Sequence, residues 1–357
     1  MSDNQLSEFR HATNLLRGMS SLAILITHYQ HFFYTGIVRR SDWSVSIQPL
    51  SKLLTPPYEY GGFAVQIFWC ISGLILAHAY INQTKIGLAR FSLARFSRLY
   101  PLHLLTLLVV VVIQFVSAKK FSTFQIYGQN DLYHFFSNLF FVQAWGKLGA
   151  GLSFNAPTWS VSIEILVYFI FFALLPVLRR GKIVTPIALL LGMRFVLEKN
   201  PMIYQEVFFF QCLMYFLIGV SIYFAVSFSK PVTRIVALSA FVYLATYLNP
   251  SFRVRYAFIA FLLVCCAAFL DTLQISRRLL RIRIFGELTY SVFLWHAPLQ
   301  MIILMIMTQF DISRSVPESP LFLLFFLVLT YSVGYASYRW IEQPARNFLN
   351  NRFMPAQ

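Results

Sequence analysis

An all-α bundle of about ten membrane-spanning helices, with both termini on the cytoplasmic side, is the fold class this sequence predicts, and three observations predict it. Hydrophobic residues make up 58% of the chain and charged residues only 12%, against about 25% charged in soluble domains. The apolar residues come in runs long enough to cross a hydrocarbon core of about 30 Å, which takes about 20 residues of helix. Those runs are apolar on every face, as in Leu104 to Ile113, where a membrane β-strand would alternate. Lipid offers no partner to free N–H and C=O groups, so helix is the spanning form that remains.

Taken in order, the spans are expected at about 13–34, 61–81, 99–118, 158–178, 183–198, 206–228, 232–248, 255–271, 286–309 and 320–341. The fifth, seventh and eighth are short. Pro201 and Pro250 bound two of the runs, as expected where a helix stops. Asp3 and Glu8 precede the first run and no small-residue cleavage site follows it, so it reads as a retained span and not a signal peptide. One domain covers residues 1–357, with short cytoplasmic tails at about 1–12 and 342–357. Two outer loops are long, about 35–60 and 119–157. The second carries Asp131-Leu-Tyr-His-Phe-Phe-Ser-Asn-Leu-Phe-Phe, an apolar-aromatic stretch suited to the membrane interface.

The net charge of +16 points first to an acidic partner such as nucleic acid. The charges sit mainly in short loops between apolar runs, which the positive-inside rule explains without one. With both termini inside, 18 of the 29 lysines and arginines fall on the cytoplasmic side, which favours the N-in, C-in arrangement. Cys70, Cys212, Cys265 and Cys266 all lie in apolar segments, with no CxxC or Cys/His spacing. They read as small core residues, and neither a disulfide framework nor a metal site is expected.

Ionisable side chains inside spans are costly and therefore candidates for function. The first span holds Arg17 and His28. Eleven residues make three turns plus about 20°, so the two share a helix face about 16 Å apart. His31 follows one turn later. Glu164 lies about 8 Å below the outer end of the fourth span, a depth comparable with that of His28, where a carboxylate could orient an imidazole base. Arg95 and Arg98, at i and i+3 before the third span, share a face and offer planar forks suited to phosphate. Ser72, Tyr290, His296 and Glu342 complete the set. Each has a plainer reading: Arg95 and Arg98 as positive-inside residues, His296 as a packing residue, Glu164 as a helix-start acid.

Together these residues resemble the acyltransferase-3 family of membrane-bound acyltransferases. Arg17 and His28 match its Arg-x10-His pattern, and Phe68-Trp-Cys-Ile-Ser72-Gly73 is similar to its Phe-Phe-x-x-Ser-Gly. Arg95-Phe-Ser-Arg98-Leu-Tyr-Pro101 matches Arg-x-x-Arg with the following Tyr-Pro, and Trp159-Ser-Val-Ser-Ile-Glu164 with Tyr168 resembles Trp-Ser-Leu-x-x-Glu…Tyr. Tyr290-Ser-Val-Phe-Leu-Trp295-His296-Ala-Pro298 resembles the late Tyr-Ser-x-Tyr-Leu-x-His-x-Pro, with Phe293 replacing a common tyrosine. Tyr338-Arg-Trp-Ile-Glu342-Gln-Pro344 matches the closing Glu-x-Pro.

The resemblance implies transfer of an acyl group, most often acetyl, from cytoplasmic acetyl-CoA or another acyl-CoA to a hydroxyl of a glycan or lipid-linked saccharide. It places the protein in a bacterial cytoplasmic (inner) membrane, in contact with lipid and with polysaccharide-synthesis proteins. His28 would serve as general base, Glu164 would orient it, and Arg17, Arg95 and Arg98 would hold the cofactor. An acyl-enzyme on Ser72 is weaker, since no activating partner is evident. The chain ends soon after the last span, so a fused periplasmic esterase-like domain is not expected. The alternative is a transporter of a glycan or lipid-linked precursor, with the buried charges along its path.

Overall fold

A computed structural model of the protein describes residues 11–83, 85–146, 151–199, 208–227, 252–272 and 283–353. The described chain is helical except for a two-residue hairpin, in which Tyr34–Thr35 pairs antiparallel with Val38–Arg39. The helices are α1 His11–His28, α2 Ser51–Tyr60, α3 Ala64–Tyr80, α4 Leu88–Phe121, α5 Leu132–Leu139, α6 Trp159–Gly181 and α7 Val184–Lys199. They continue with α8 Phe208–Val226, α9 Phe252–Thr272, α10 Arg283–Glu287, α11 Thr289–Gln309, α12 Pro320–Ser337 and, after a π-helical turn at Tyr338–Glu342, α13 Gln343–Phe353.

Among the described residues six helices are long and apolar enough to cross a membrane: Ser51–Tyr80, Leu88–Phe121, Ala156–Gly181, Phe208–Val226, Thr289–Gln309 and Pro320–Phe353. This supports an integral membrane protein. Two shorter apolar helices, Val184–Met193 and Leu262–Asp271, lie where short spans were expected. The run expected at 232–248 lies outside the described residues. Several details differ from the sequence reading, and the span expected first, at 13–34, is not among the six, its α-helix ending at His28. α4 begins at Leu88, so Arg95 and Arg98 are helical and Pro101 sits inside the helix. Leu, Ala and Arg are good helix formers, and they carry the helix back beyond the apolar run. The segment from 343 is helical as far as Phe353. Of the four cysteines, Cys266 is exposed and is not a core residue.

The chain divides into two compact units. The first comprises Met1–Ser20, Phe63–Ile86 and Ile163–Glu287. Its helices α3 and α8 cross at backbone contact: a Cβ on Gly73 would fall on the Phe216 carbonyl oxygen, and one on Gly219 on that of Cys70. Small residues allow the close approach from which membrane helices draw their packing energy. The glycine of the Ser72-Gly73 motif therefore has a packing role. In the same unit the buried Asp271, at the end of α9, accepts hydrogen bonds from the N–H groups of His11, Ala12 and Thr13 and from the Thr13 hydroxyl, at 2.7 to 3.2 Å. These are first-turn donors with no partner inside α1.

The second unit comprises Ser21–Gly62, Gly87–Ser162 and Leu288–Gln357. Its core joins Tyr29, Phe32 and Phe33 to Leu107 and Val110 of α4, Met301 and Leu304 of α11, and Leu323 and Phe326 of α12. The pattern is inverted relative to a soluble protein. On α4 the exposed side chains include Leu108, Val112 and Phe115, while His103, Thr106, Gln114 and Ser117 are buried. On α5 the exposed face is Leu132, Tyr133 and Phe136, continued by Phe140 just past its end, and the inward one is His134, Ser137 and Asn138. A helix with apolar side chains outside and polar ones inside suits lipid or the interface. Asp131 caps α5 by accepting from His134 N–H at 2.9 Å and from the His134 ring at 2.7 Å. Those hydrogen bonds hold its carboxyl below the usual carboxylate range.

Candidate active site

α1 runs unbroken from His11 to His28, so Arg17 and His28 do lie on one helix. Beyond it the chain tightens into a 3-10 turn, Tyr29–Phe33. Residues three apart eclipse one another in that geometry, which brings the His28 and His31 rings to 5.3 Å between centroids. The opposite side of the turn is pinned in the aromatic core. Phe32 meets Phe322 and Phe326 edge-on at 5.0 and 4.9 Å, and the Tyr29 hydroxyl donates to the Pro317 carbonyl at 2.6 Å.

α11 supplies the facing pair. His296 and Gln300 are four residues apart and share a helix face. The His296 ring lies 5.0 Å from that of His28. The Gln300 carboxamide donates to the His28 carbonyl at 2.8 Å and accepts from His31 Nδ1 at 3.1 Å. The assignment of its ends is forced, because a carbonyl oxygen only accepts. His28 Nδ1 donates to the Ile24 carbonyl at 3.0 Å, and His296 Nδ1 donates to the Phe293 carbonyl. Each Nδ1 thus carries the proton, and in the neutral rings each Nε2 presents a lone pair. His31 and His296 are buried while His28 is partly exposed. Tyr34 and Tyr127 flank His31 edge-on at 5.6 and 5.7 Å.

Beside His296 the hydrogen-bond ladder of α11 is interrupted by Pro298. Pro298 lacks an N–H, so the Leu294 carbonyl loses its partner within α11. Asn155, fully buried, donates its side-chain amide to that carbonyl at 3.0 Å. An unpaired carbonyl in this setting would cost several kcal/mol. The loop before α6 therefore completes the hydrogen bonding of α11.

The other expected residues fall into two groups. Arg95 and Arg98 are half-buried on α4 of the second unit, and Arg98 makes no ion pair among the described residues. Tyr290 donates to the Leu99 carbonyl at 2.6 Å, tying the start of α11 to the turn that carries Arg98. The next residue, Ser291, donates to the buried Glu342 carboxylate at 2.6 Å. Tyr290 and Glu342 thus act as ties between helices, and Glu342 closes the π-helical turn, a distortion frequent at functional sites. Arg17, Ser72 and Glu164 belong to the first unit. There Glu164 accepts the Tyr168 hydroxyl at 2.8 Å, and Ser72 is half-buried on α3 with no hydrogen-bonded base beside it among the described residues. Among the described residues no three His, Cys, Asp or Glu side chains converge as a metal site.

Gln300 and Asn155 do not stand out in the sequence, because both are uncharged. The i, i+4 spacing of His296 and Gln300 was the available signal. Asn155 carried none: its meaning depends on Pro298, far away in the chain.

Comparison with known proteins bears on the same residues. A family model described as an acyltransferase domain, the acyltransferase-3 model, matches residues 10–339. The chain is also similar to "Acyltransferase MdmB" of Streptomyces mycarofaciens, at 30% identity over 161 residues. That match takes in 44% of this chain and 36% of the relative, so it spans little more than a third of that protein's length. No solved structure matches the chain. The family match runs from α1 to the start of the π-helical turn and takes in His28, the arginine pair of α4 and His296, and on that evidence the chain belongs to the acyltransferase-3 family.

Proposed function

We propose that this protein is an integral-membrane O-acyltransferase that moves an acyl group, in the simplest case acetyl, from cytoplasmic acyl-CoA to a hydroxyl of a glycan or lipid-linked saccharide. The bacterial cytoplasmic membrane, with both termini inside, is the setting this reading requires, since acyl-CoA is supplied from the cytoplasm. The observation that carries the proposal is the histidine cluster, in which His28 is partly exposed with its Nδ1 proton anchored on the Ile24 carbonyl. An imidazole fixed in that tautomer offers Nε2 as the base.

In this mechanism His28 Nε2 takes the proton of the acceptor hydroxyl as its oxygen bonds to the thioester carbonyl carbon. The C–S bond then breaks with its electron pair on sulfur, and the proton passes from His28 to the departing thiolate. His28 ends α1, and the carbonyl end of a helix favours the positive charge that develops there. Arg95 and Arg98 on α4, with Arg17 on α1, are assigned to the phosphates of the cofactor, for which the guanidinium fork is suited. The Ile24 carbonyl orients the base through Nδ1–H, and Glu164 is proposed as an acid needed for turnover, its share to be measured in the assay below.

The test is acyl transfer by detergent-purified protein, followed through release of free coenzyme A thiol. His28→Ala is expected to lower kcat by about a hundredfold or more, the range for a lost general base. Near-normal turnover would sink the proposal, and the same assay on Glu164→Gln measures the acid. Comparing O-acyl groups on the surface glycans of a deletion strain and its parent identifies the acceptor.

A further inference from the structure

Resting on the reading of His28 as the base, we infer that His296 is the hydrogen-bond acceptor for the imidazolium that forms on His28, so that the cation on the base is held by a second, neutral imidazole. The starting observation is an orphan. His296 is fully buried, its Nδ1 is committed to the Phe293 carbonyl, and its Nε2 has no hydrogen-bond partner among the described residues. A buried acceptor left unpaired is unfavourable and calls for a reason. The ring nearest it across the cluster is that of His28, at 5.0 Å between centroids.

The two rings are in the same state at rest. Both carry the proton on Nδ1, so both present a lone pair at Nε2 and neither has a donor for the other. Protonating His28 at Nε2 changes that. The new N–H becomes a donor, and the vacant acceptor of His296 lies in the adjoining ring. Within the second unit the polar partners of all three rings are uncharged: the Ile24 carbonyl, the Phe293 carbonyl and the Gln300 carboxamide. Of the three rings, His296 is the one whose Nε2 is fully buried without a partner among the described residues, and so it has spare capacity to stabilise the cation. A bond made only when charge has developed lowers the barrier without tightening substrate binding. Atoms balance as before: the hydroxyl proton goes to His28 Nε2 and then to the thiolate sulfur, and while it rests on His28 that one N–H is shared, as a three-centre hydrogen bond, between the reacting group and His296, which accepts it without taking the proton. His31, at 5.3 Å on the other side of His28, has its Nδ1–H held by Gln300.

His296 acts through His28 and is thus a positioning residue, and the experiment separates this role from plain packing. Asparagine at 296 keeps an amide N–H near the place of Nδ1, facing the Phe293 carbonyl, and has nothing at the place of Nε2. Glutamine extends a carbonyl oxygen to that place. His296→Asn and His296→Leu are expected to lower kcat about ten- to a hundredfold, the worth of a charge-assisted hydrogen bond, with KM for acyl-CoA and for acceptor unchanged within about twofold. His296→Gln is expected to recover most of kcat. Wild-type kcat in His296→Asn, when that protein elutes and melts as the parent does, would overturn the inference. So would a glutamine variant as slow as the leucine one. His28→Ala run beside them separates the two readings: activity there removes the base assignment itself, whereas an inactive His28→Ala with an unaffected His296→Asn removes only the role of His296.

Discussion

Gln300 sits four residues after His296 in a helix whose neighbouring side chains are largely aliphatic, and its carboxamide is used at both ends. It donates to the His28 carbonyl and accepts the proton-bearing nitrogen of His31. One neutral side chain therefore sets the tautomer of one histidine and the backbone position of another. Gln300→Met keeps length and volume but removes both bonds. It is expected to lower stability by about 1–3 kcal/mol, the cost of leaving a buried polar group unpaired, and to lower kcat by about tenfold or more, since small misplacements of a reacting group are felt steeply. Thermal unfolding and turnover measured on the same preparation check this, and a variant stable and active as the parent would remove Gln300 from the site. The candidate site was legible in the sequence as single residues: His28, His296 and the arginine pair stood out as ionisable groups in or beside apolar runs. That His28, His31 and His296 meet was not legible, because two of them come from one end of the chain and the third from the other.

At the scale of elements, a helix end and a helix break explain two buried polar side chains, Asp271 and Asn155. The N-terminus of α1 is satisfied by Asp271 of α9, which accepts three successive backbone N–H groups and the Thr13 hydroxyl. A carboxylate there also meets the positive end of the helix dipole. Asp271→Ala is expected to destabilise the protein by about 1–3 kcal/mol through those orphaned donors. Thermal unfolding in detergent is the measurement, and an unchanged midpoint would show that the first turn of α1 is satisfied some other way. Asn155 repairs the break that Pro298 makes in α11. Both devices join a helix to a partner distant in sequence, and for that reason neither could be read from local pattern. Span positions were legible, since α3, α4, α6, α8, α11 and α12 lie on the expected apolar runs. Span length is a property of consecutive residues. Where the pattern was less informative, as at the start of α4, helix propensity carried the helix past the apolar run.

For the molecule as a whole, exposed aliphatic faces and buried polar ones on α4 and α5 mark a protein whose solvent is lipid. The charge bias then gives an orientation that is tested directly. In a Cys266→Ser background, which removes the exposed cysteine, Asp311→Cys is expected to react with a membrane-impermeant maleimide in intact cells. Arg352→Cys is expected to react only after permeabilisation. Both positions are exposed, and the reverse pattern would overturn the N-in, C-in arrangement.

The sequence by itself determined that the chain is a membrane helix bundle and which family's motifs it carries in order. Hydrophobic run length and motif spacing are one-dimensional properties, readable without knowing what packs on what. Tertiary structure decided what those motifs do within each unit. It brought the imidazoles of His28 and His296 to 5.0 Å, set their tautomers through backbone carbonyls, and turned Tyr290 and Glu342 into ties between helices. These outcomes depend on side chains meeting across elements far apart in the chain, and such meetings are set by how the helices pack.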